Sequence, residues 1–253
     1  MKMHRVLMIA VALITATSGL EAQTAPPATP AQSQSVDGYR NAREKQLLTD
    51  FGWLARFRDA NAKLAAPAPG ENRIVFMGDS ITEGWHFDQS FPGKPYINRG
   101  ISGQTTPQML VRFRQDVLEL KPKVVVILAG TNDVAGNTGP MTAEETEGYI
   151  QSMAELARAG GIRVVLCSVL PASHFSWAPN VQGSADKILA INAWIKSYAA
   201  RQNYPYVDYH SAMKDAENGL PPELSKDGVH PLPAGYAIMA PLAEAAIDKA
   251  LKK

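Results

Sequence analysis

From Glu71 onward, five short apolar runs alternate with longer stretches that carry a helical pattern, and few folds accept that order. The runs are Ile74–Met77, Tyr96–Asn98, Val124–Ala129, Val164–Cys167 and Tyr206–Asp208. Helical stretches lie near Pro107–Leu120, Ala143–Ala159 and Ala185–Asn203, and a last one covers Pro233–Leu251, where Pro233 suits a first turn. Strands that are apolar throughout are covered on both faces, and helices between them make the sheet parallel. The expected class is α/β, a three-layer α/β/α domain. No internal repeat is visible.

The chain ahead of this domain reads differently. Lys2, His4 and Arg5 precede an apolar stretch from Val6 to about Ala16, which suits a signal peptide and is too short to span a bilayer as a helix. Cleavage after Ala22 makes 1–22 a leader and the protein periplasmic or extracellular, with no stable membrane insertion afterwards. Residues 23–37, rich in Ala, Pro, Thr, Gln and Ser, read as a flexible linker. Leu47, Leu48, Phe51, Leu54 and Phe57 recur at three- and four-residue steps and predict a helix over Tyr39–Leu64. The segment 38–66 is thus expected as an N-terminal helix packing on the domain, which occupies 67–253. Removing the leader leaves equal numbers of basic and acidic side chains, so nothing points to nucleic acid or anionic lipid. Cys167 is the only cysteine, and its strand-like surroundings make it a small core residue. Nothing in the sequence specifies an oligomeric state.

Four motifs stand at the strand ends or in the loops that follow. Gly78-Asp79-Ser80-Ile81-Thr82 closes the first run. Asn98 to Thr106, with Gly103 inside it, follows the second; Gly130-Thr131-Asn132-Asp133 follows the third; and Asp227-Gly228-Val229-His230-Pro231 comes late in the chain. Taken alone, Ser80 reads as a helix N-cap. Together the motifs supply what acyl transfer needs. Ser80 is a nucleophile, His230 a base that takes its proton, and Asp227 a carboxylate that orients the imidazole. The N–H groups of Ser80 and Gly103 and the amide of Asn132 are candidate oxyanion donors.

On these four motifs the chain resembles the SGNH/GDSL hydrolase family of esterases and lipases, from about Arg73 to His230. The resemblance implies the SGNH hydrolase fold, with a parallel, flavodoxin-like five-stranded sheet. It also implies catalytic Ser80, Asp227 and His230 with an oxyanion hole of Ser80, Gly103 and Asn132. Ile81 stands where that family usually has Leu, a packing position that leaves the chemistry alone. No Gly-x-Ser-x-Gly elbow is present, nor a glycine-rich phosphate loop for a nucleotide or flavin.

Asp79 and Asp133 are expected to brace loops by hydrogen bonding to backbone. They have no metal-spaced partners, so no metal and no cofactor are expected. His174, Phe175 and Trp177 occupy a loop after the fourth run and are candidate substrate contacts, against the alternative that this loop packs its aromatics inward. His86 and His210 show no partner in sequence. The expected activity is an exported esterase cleaving short acyl groups, acetyl first, from a small-molecule or glycan ester. A lipid esterase or lysophospholipase is the alternative, and an acyl-glycan binding protein without catalysis is a further one.

Overall fold

The computed structural model describes residues 30–252. The leader 1–22 and the first part of the linker therefore lie outside the described residues. The chain divides into two units, 1–43 and 44–253. The described part of the first is helical, belonging to α1 (Pro30–Thr49), which begins inside the span read as linker.

The helix predicted over Tyr39–Leu64 is interrupted. Beyond α1, the Asp50 carboxylate accepts the backbone N–H groups of Leu54 and Ala55 at 2.7 and 2.9 Å. A short acidic side chain offers the backbone an alternative to helical bonding. Trp53 takes a left-handed conformation (φ 53°) and a six-residue helix, α2 (Arg58–Lys63), follows. The regular apolar stripe is lost in consequence: Leu48 is 88 % exposed and Phe51 41 %. The turn itself is docked, since the carbonyls of Phe51, Gly52 and Leu54 accept the side-chain amides of Gln108, Gln104 and Gln115.

The sheet strands are β1 (Ile74–Gly78), β2 (Tyr96–Gly100), β3 (Val124–Leu128), β4 (Arg163–Cys167) and β5 (Tyr206–Val207). All pair in parallel, in the order β2-β1-β3-β4-β5. Between and after them run α3 (Ser80–Glu83), α4 (Phe87–Ser90), α5 (Thr106–Asp116), α6 (Thr131–Val134), α7 (Ala143–Ala159), α8 (Ser184–Gln202), α9 (Tyr209–Met213) and α10 (Pro233–Leu251).

Alternate residues of each strand face opposite layers. Val75, Met77, Val125, Ile127, Val164 and Leu166 pack with residues of α5, α7 and α8, including Phe113, Met153 and Ile191. Ile74, Phe76, Val124, Val126, Val165 and Cys167 pack on the other face with Trp85, Phe91 and, from α10, Met239, Ala243 and Ile247. The α/β/α sandwich is therefore the observed fold. Its strand order reverses at β1, with β2 on one side and β3 on the other. Ligands in such sheets bind beyond the carboxyl ends of the strands at that switch point. The first three motifs all emerge there.

Candidate active site

The serine turn depends on two glycines. A Cβ at Gly78 would lie 2.1 Å from Thr82 Oγ1, and one at Gly100 would lie 2.1 Å from the backbone nitrogen of Glu83. Glycine alone lets α3 fold back over the ends of β1 and β2. Asp79 is the N-cap of α3, its Oδ1 accepting the Ile81 N–H at 3.0 Å. Ser80 is therefore not the cap, and its hydroxyl is left for another partner.

That partner is His230, whose Nε2 lies 2.9 Å from Ser80 Oγ. His230 Nδ1 is 2.6 Å from Asp227 Oδ2. The other carboxylate oxygen, Oδ1, accepts the N–H groups of His230 and Val229 at 2.8 and 3.0 Å and the Ser225 hydroxyl at 3.0 Å. Burial resists ionisation of Asp227, but the hydrogen bonds from the His230 backbone and ring and from Val229 outweigh it. They hold its carboxyl well below the usual range. The imidazole thus has a fixed anion on one side and a hydroxyl on the other.

Asn132 lies in α6, entered through Gly130 at φ 125°. Its Nδ2 donates to the Gln104 carbonyl at 3.1 Å and to Asp79 Oδ2 at 3.3 Å. Its Oδ1 accepts from Asn137 Nδ2 at 2.8 Å. Turning the amide over would set its oxygen against two acceptors, so the orientation is determined. Gly103, at φ 74°, stands in the loop after β2, and its carbonyl accepts from the same Asn137 Nδ2 at 3.1 Å.

Asp79 and Asp133 are both buried. Burial pushes the Asp79 carboxyl up to about 7, with the charge of Asp133 adding to the effect, and pushes Asp133 up to about 6. Asp133 accepts the Thr106 N–H at 3.1 Å and the Thr106 hydroxyl, tying the start of α5 to α6.

Below the site lies a residue that sequence reasoning passed over. Arg112, fully buried on α5, donates to Gln104 Oε1 at 2.6 Å, to Asp116 Oδ2 at 3.1 Å and to the carbonyls of Gly78 and Arg99 at 3.1 and 2.8 Å. One guanidinium joins the ends of β1 and β2 to the loop carrying Gly103. The available signal was a pair of opposite charges, Arg112 and Asp116, on the stripe of α5 that also carries Met109 and Phe113.

The loop after β4 divides its predicted contacts. Phe175 is 2 % exposed, whereas Trp177 is 42 % exposed. Phe175 packs beneath Trp177, ring centroids 5.2 Å apart, and joins the hydrophobic core. The Trp177 ring lies 6.0 Å from that of His230, and its indole N–H donates to Asn137 Oδ1 at 3.0 Å. His174 is exposed and borders Gly228, where a Cβ would meet its Cε1 at 3.2 Å. His210 is buried near β5, and no partner for its Nε2 is found among the described residues.

Residues 76–238 match the sequence profile of the GDSL-like Lipase/Acylhydrolase family. The chain belongs to that family. Its fold is shared with a GDSL-like lipase from Bacteroides thetaiotaomicron, 48 % identical, with a TM-score of 0.78 over 79 % of this chain and 100 % of that one. An acetylxylan esterase from Xylanibacter ruminicola is 29 % identical over 242 residues, 80 % of this chain and 47 % of that protein. The chain thus spans about half the length of that relative. An acetylxylan esterase from Geobacillus stearothermophilus is 27 % identical over 148 residues, 57 % of this chain and 68 % of that one.

Proposed function

We propose that the protein is an exported serine esterase that removes short acyl groups, acetyl foremost, from carbohydrate substrates. The observation that carries the proposal is the unbroken chain from Ser80 Oγ through His230 to Asp227, with links of 2.9 and 2.6 Å. Ser80 Oγ attacks the ester carbonyl carbon while His230 Nε2 takes its proton. The tetrahedral oxyanion accepts from the N–H groups of Ser80 and Gly103 and from Asn132 Nδ2. The longer of the two Asn132 contacts, 3.3 Å to Asp79, is the one an oxyanion displaces at least cost. Collapse breaks the bond to the alcohol, which leaves with the proton from His230. Water then attacks the acyl-enzyme, His230 takes its proton, and the acid departs as Ser80 recovers the hydrogen. No metal or cofactor enters these steps.

The carbohydrate assignment rests on the two acetylxylan esterase relatives and on Trp177. An exposed indole beside His230 stands where the leaving alcohol collects its proton, and the apolar face of a sugar ring suits such a surface. The leader 1–22 and linker 23–37 direct the domain of 67–253 out of the cytoplasm, to periplasm or medium. No helix among the described residues is long and apolar enough to cross a membrane.

Hydrolysis of acetyl, butyryl and octanoyl 4-nitrophenyl esters and of acetylated xylo-oligosaccharides, with Ser80→Ala in parallel, tests this reading. Turnover that needs Ser80 and falls steeply beyond acetyl supports it. Rates rising with chain length would move the substrate to lipids. Failure of an organophosphonate to label Ser80 would leave a binding role in place of catalysis.

A further inference from the structure

Three loops meet on one exposed-edge side chain, the amide of Asn137. It follows α6, where its N–H donates to the Asn132 carbonyl at 3.0 Å, and glycines with positive φ stand on either side, Gly136 at 72° and Gly139 at 108°. Its Oδ1 accepts the indole N–H of Trp177, from the loop after β4, at 3.0 Å. Its Nδ2 donates to Asn132 Oδ1 at 2.8 Å and to the Gly103 carbonyl, from the loop after β2, at 3.1 Å. The three contacts use the amide in its only consistent orientation, because a reversed amide would bring N–H against N–H at Trp177 and oxygen against oxygen at Asn132 and Gly103.

We propose that Asn137 is the positioning residue of the oxyanion site, holding Asn132 and Gly103 in donor geometry and itself held by Trp177. The inference rests on the esterase reading of Ser80. Asn137 touches neither the nucleophile nor the reacting carbonyl. It acts by saturating the oxygen of Asn132, which keeps that amide's nitrogen aimed at the site, and by holding the Gly103 carbonyl, which fixes the residue whose own N–H is the other proposed donor. Donors fixed before the charge develops need no reorganisation during the reaction. Trp177 completes the arrangement. The ring proposed to seat the sugar is also the group that orders Asn137, so the leaving-group surface and the oxyanion donors form one hydrogen-bonded unit.

The discriminating variant is Asn137→Asp. It keeps the acceptor for Trp177 and the shape of the side chain, and it replaces the two donated bonds by an anion facing two carbonyl oxygens. With 4-nitrophenyl acetate, kcat is expected to fall by about tenfold or more while KM stays within about twofold. Phosphonylation of Ser80 by an organophosphonate, which uses the same donors, is expected to slow in step. Asn137→Ala is expected to act in the same direction, and it carries the test should Asn137→Asp fail to fold. In an Asn132→Ala background the cost of Asn137→Ala is expected to shrink, since one of its two targets is gone. Unchanged kcat and labelling in a folded Asn137→Ala protein would overturn the proposal, as would its full cost persisting without Asn132. Ser80→Ala separates this result from the parent reading: turnover surviving there removes the serine mechanism itself.

Discussion

Arg112 Nη2 donates at 3.1 Å to the carbonyl oxygen of Gly78, two residues ahead of Ser80. With Asp116 it forms an ion pair at 3.1 Å in which neither side chain is exposed. Burial pulls the guanidinium down to about 10, opposed by the carboxylate, so it stays charged at neutral pH. Arg112→Met takes the cation from buried Asp116, whose Oδ1 keeps the Asn61 and Gln115 amides, and removes a donor from Gln104 Oε1 and from the carbonyls of Gly78 and Arg99. It is expected to cost about 3–5 kcal/mol of stability in urea unfolding. Adding Asp116→Asn is expected to recover part of the loss, and no recovery would mean that the pair is not the main term.

Gly100→Ala would set a Cβ 2.1 Å from Glu83 N and 2.7 Å from the Asp79 carbonyl oxygen, both backbone atoms. The turn carrying Ser80 has to move. A loss of about 3 kcal/mol or more is expected, with lower kcat. Gly148→Ala reverses the sign: that residue is exposed within α7 and a Cβ there meets nothing within 4 Å. Ordinary helix propensity predicts a gain of about 0.5–1 kcal/mol. Equal effects from the two substitutions would contradict this account of the serine turn.

The buried carboxyls make stability depend on pH. Asp79 is raised to about 7 and Asp133 to about 6, chiefly by burial, against about 3.9 in an unfolded chain. Between those values the folded protein holds protons that the unfolded chain has released. Their contribution is therefore complete below about pH 4 and lost as pH rises through the folded values. Each group adds a decline of at most about 1.4 kcal/mol per pH unit. Asp79→Asn, which does not titrate, is expected to flatten the curve from pH 4 to 7. Identical slopes for the two proteins would remove Asp79 from the effect.

Trp177→Ala separates the proposed sugar surface from the chemistry. For an acetylated pyranoside, KM is expected to rise about tenfold, since stacking area is lost. For ethyl acetate, whose alcohol does not reach the ring, KM is expected to hold. Both substrates should show the smaller kcat loss that follows from releasing Asn137. Equal KM changes for the two esters would place the sugar elsewhere.

Much of the fold was legible because it rests on local pattern. The runs at Val75, Val125 and Val165 are apolar on both faces, as parallel strands between helices must be, and Ala143–Ala159 and Pro233–Leu251 were delimited as observed. Ser80, Asp227 and His230 were legible as motifs, and the hydrogen bonds now bring them together. What stayed hidden depends on approach across the fold. Asp50 ends α1 by folding its carboxylate onto Leu54 and Ala55, which no apolar periodicity reports. Phe175 and Trp177 are two residues apart in one loop, and only the packed core decides which ring turns inward. Asn137 sits in no motif, because its importance comes from Trp177 and Gly103, which the chain brings from two other loops.

The hydrogen bond between Ser80 and His230 spans 150 positions of the chain. Long separations of this kind close late, after the loop entropy between them has been overcome. A nascent chain still on the ribosome carries its serine turn well before its histidine, so the unfinished protein has no assembled serine–histidine pair. Recovery of esterase activity during refolding is accordingly a clock for the last stage of assembly, when the C-terminal segment before α10 docks, and is expected to lag the return of sheet and helix signals.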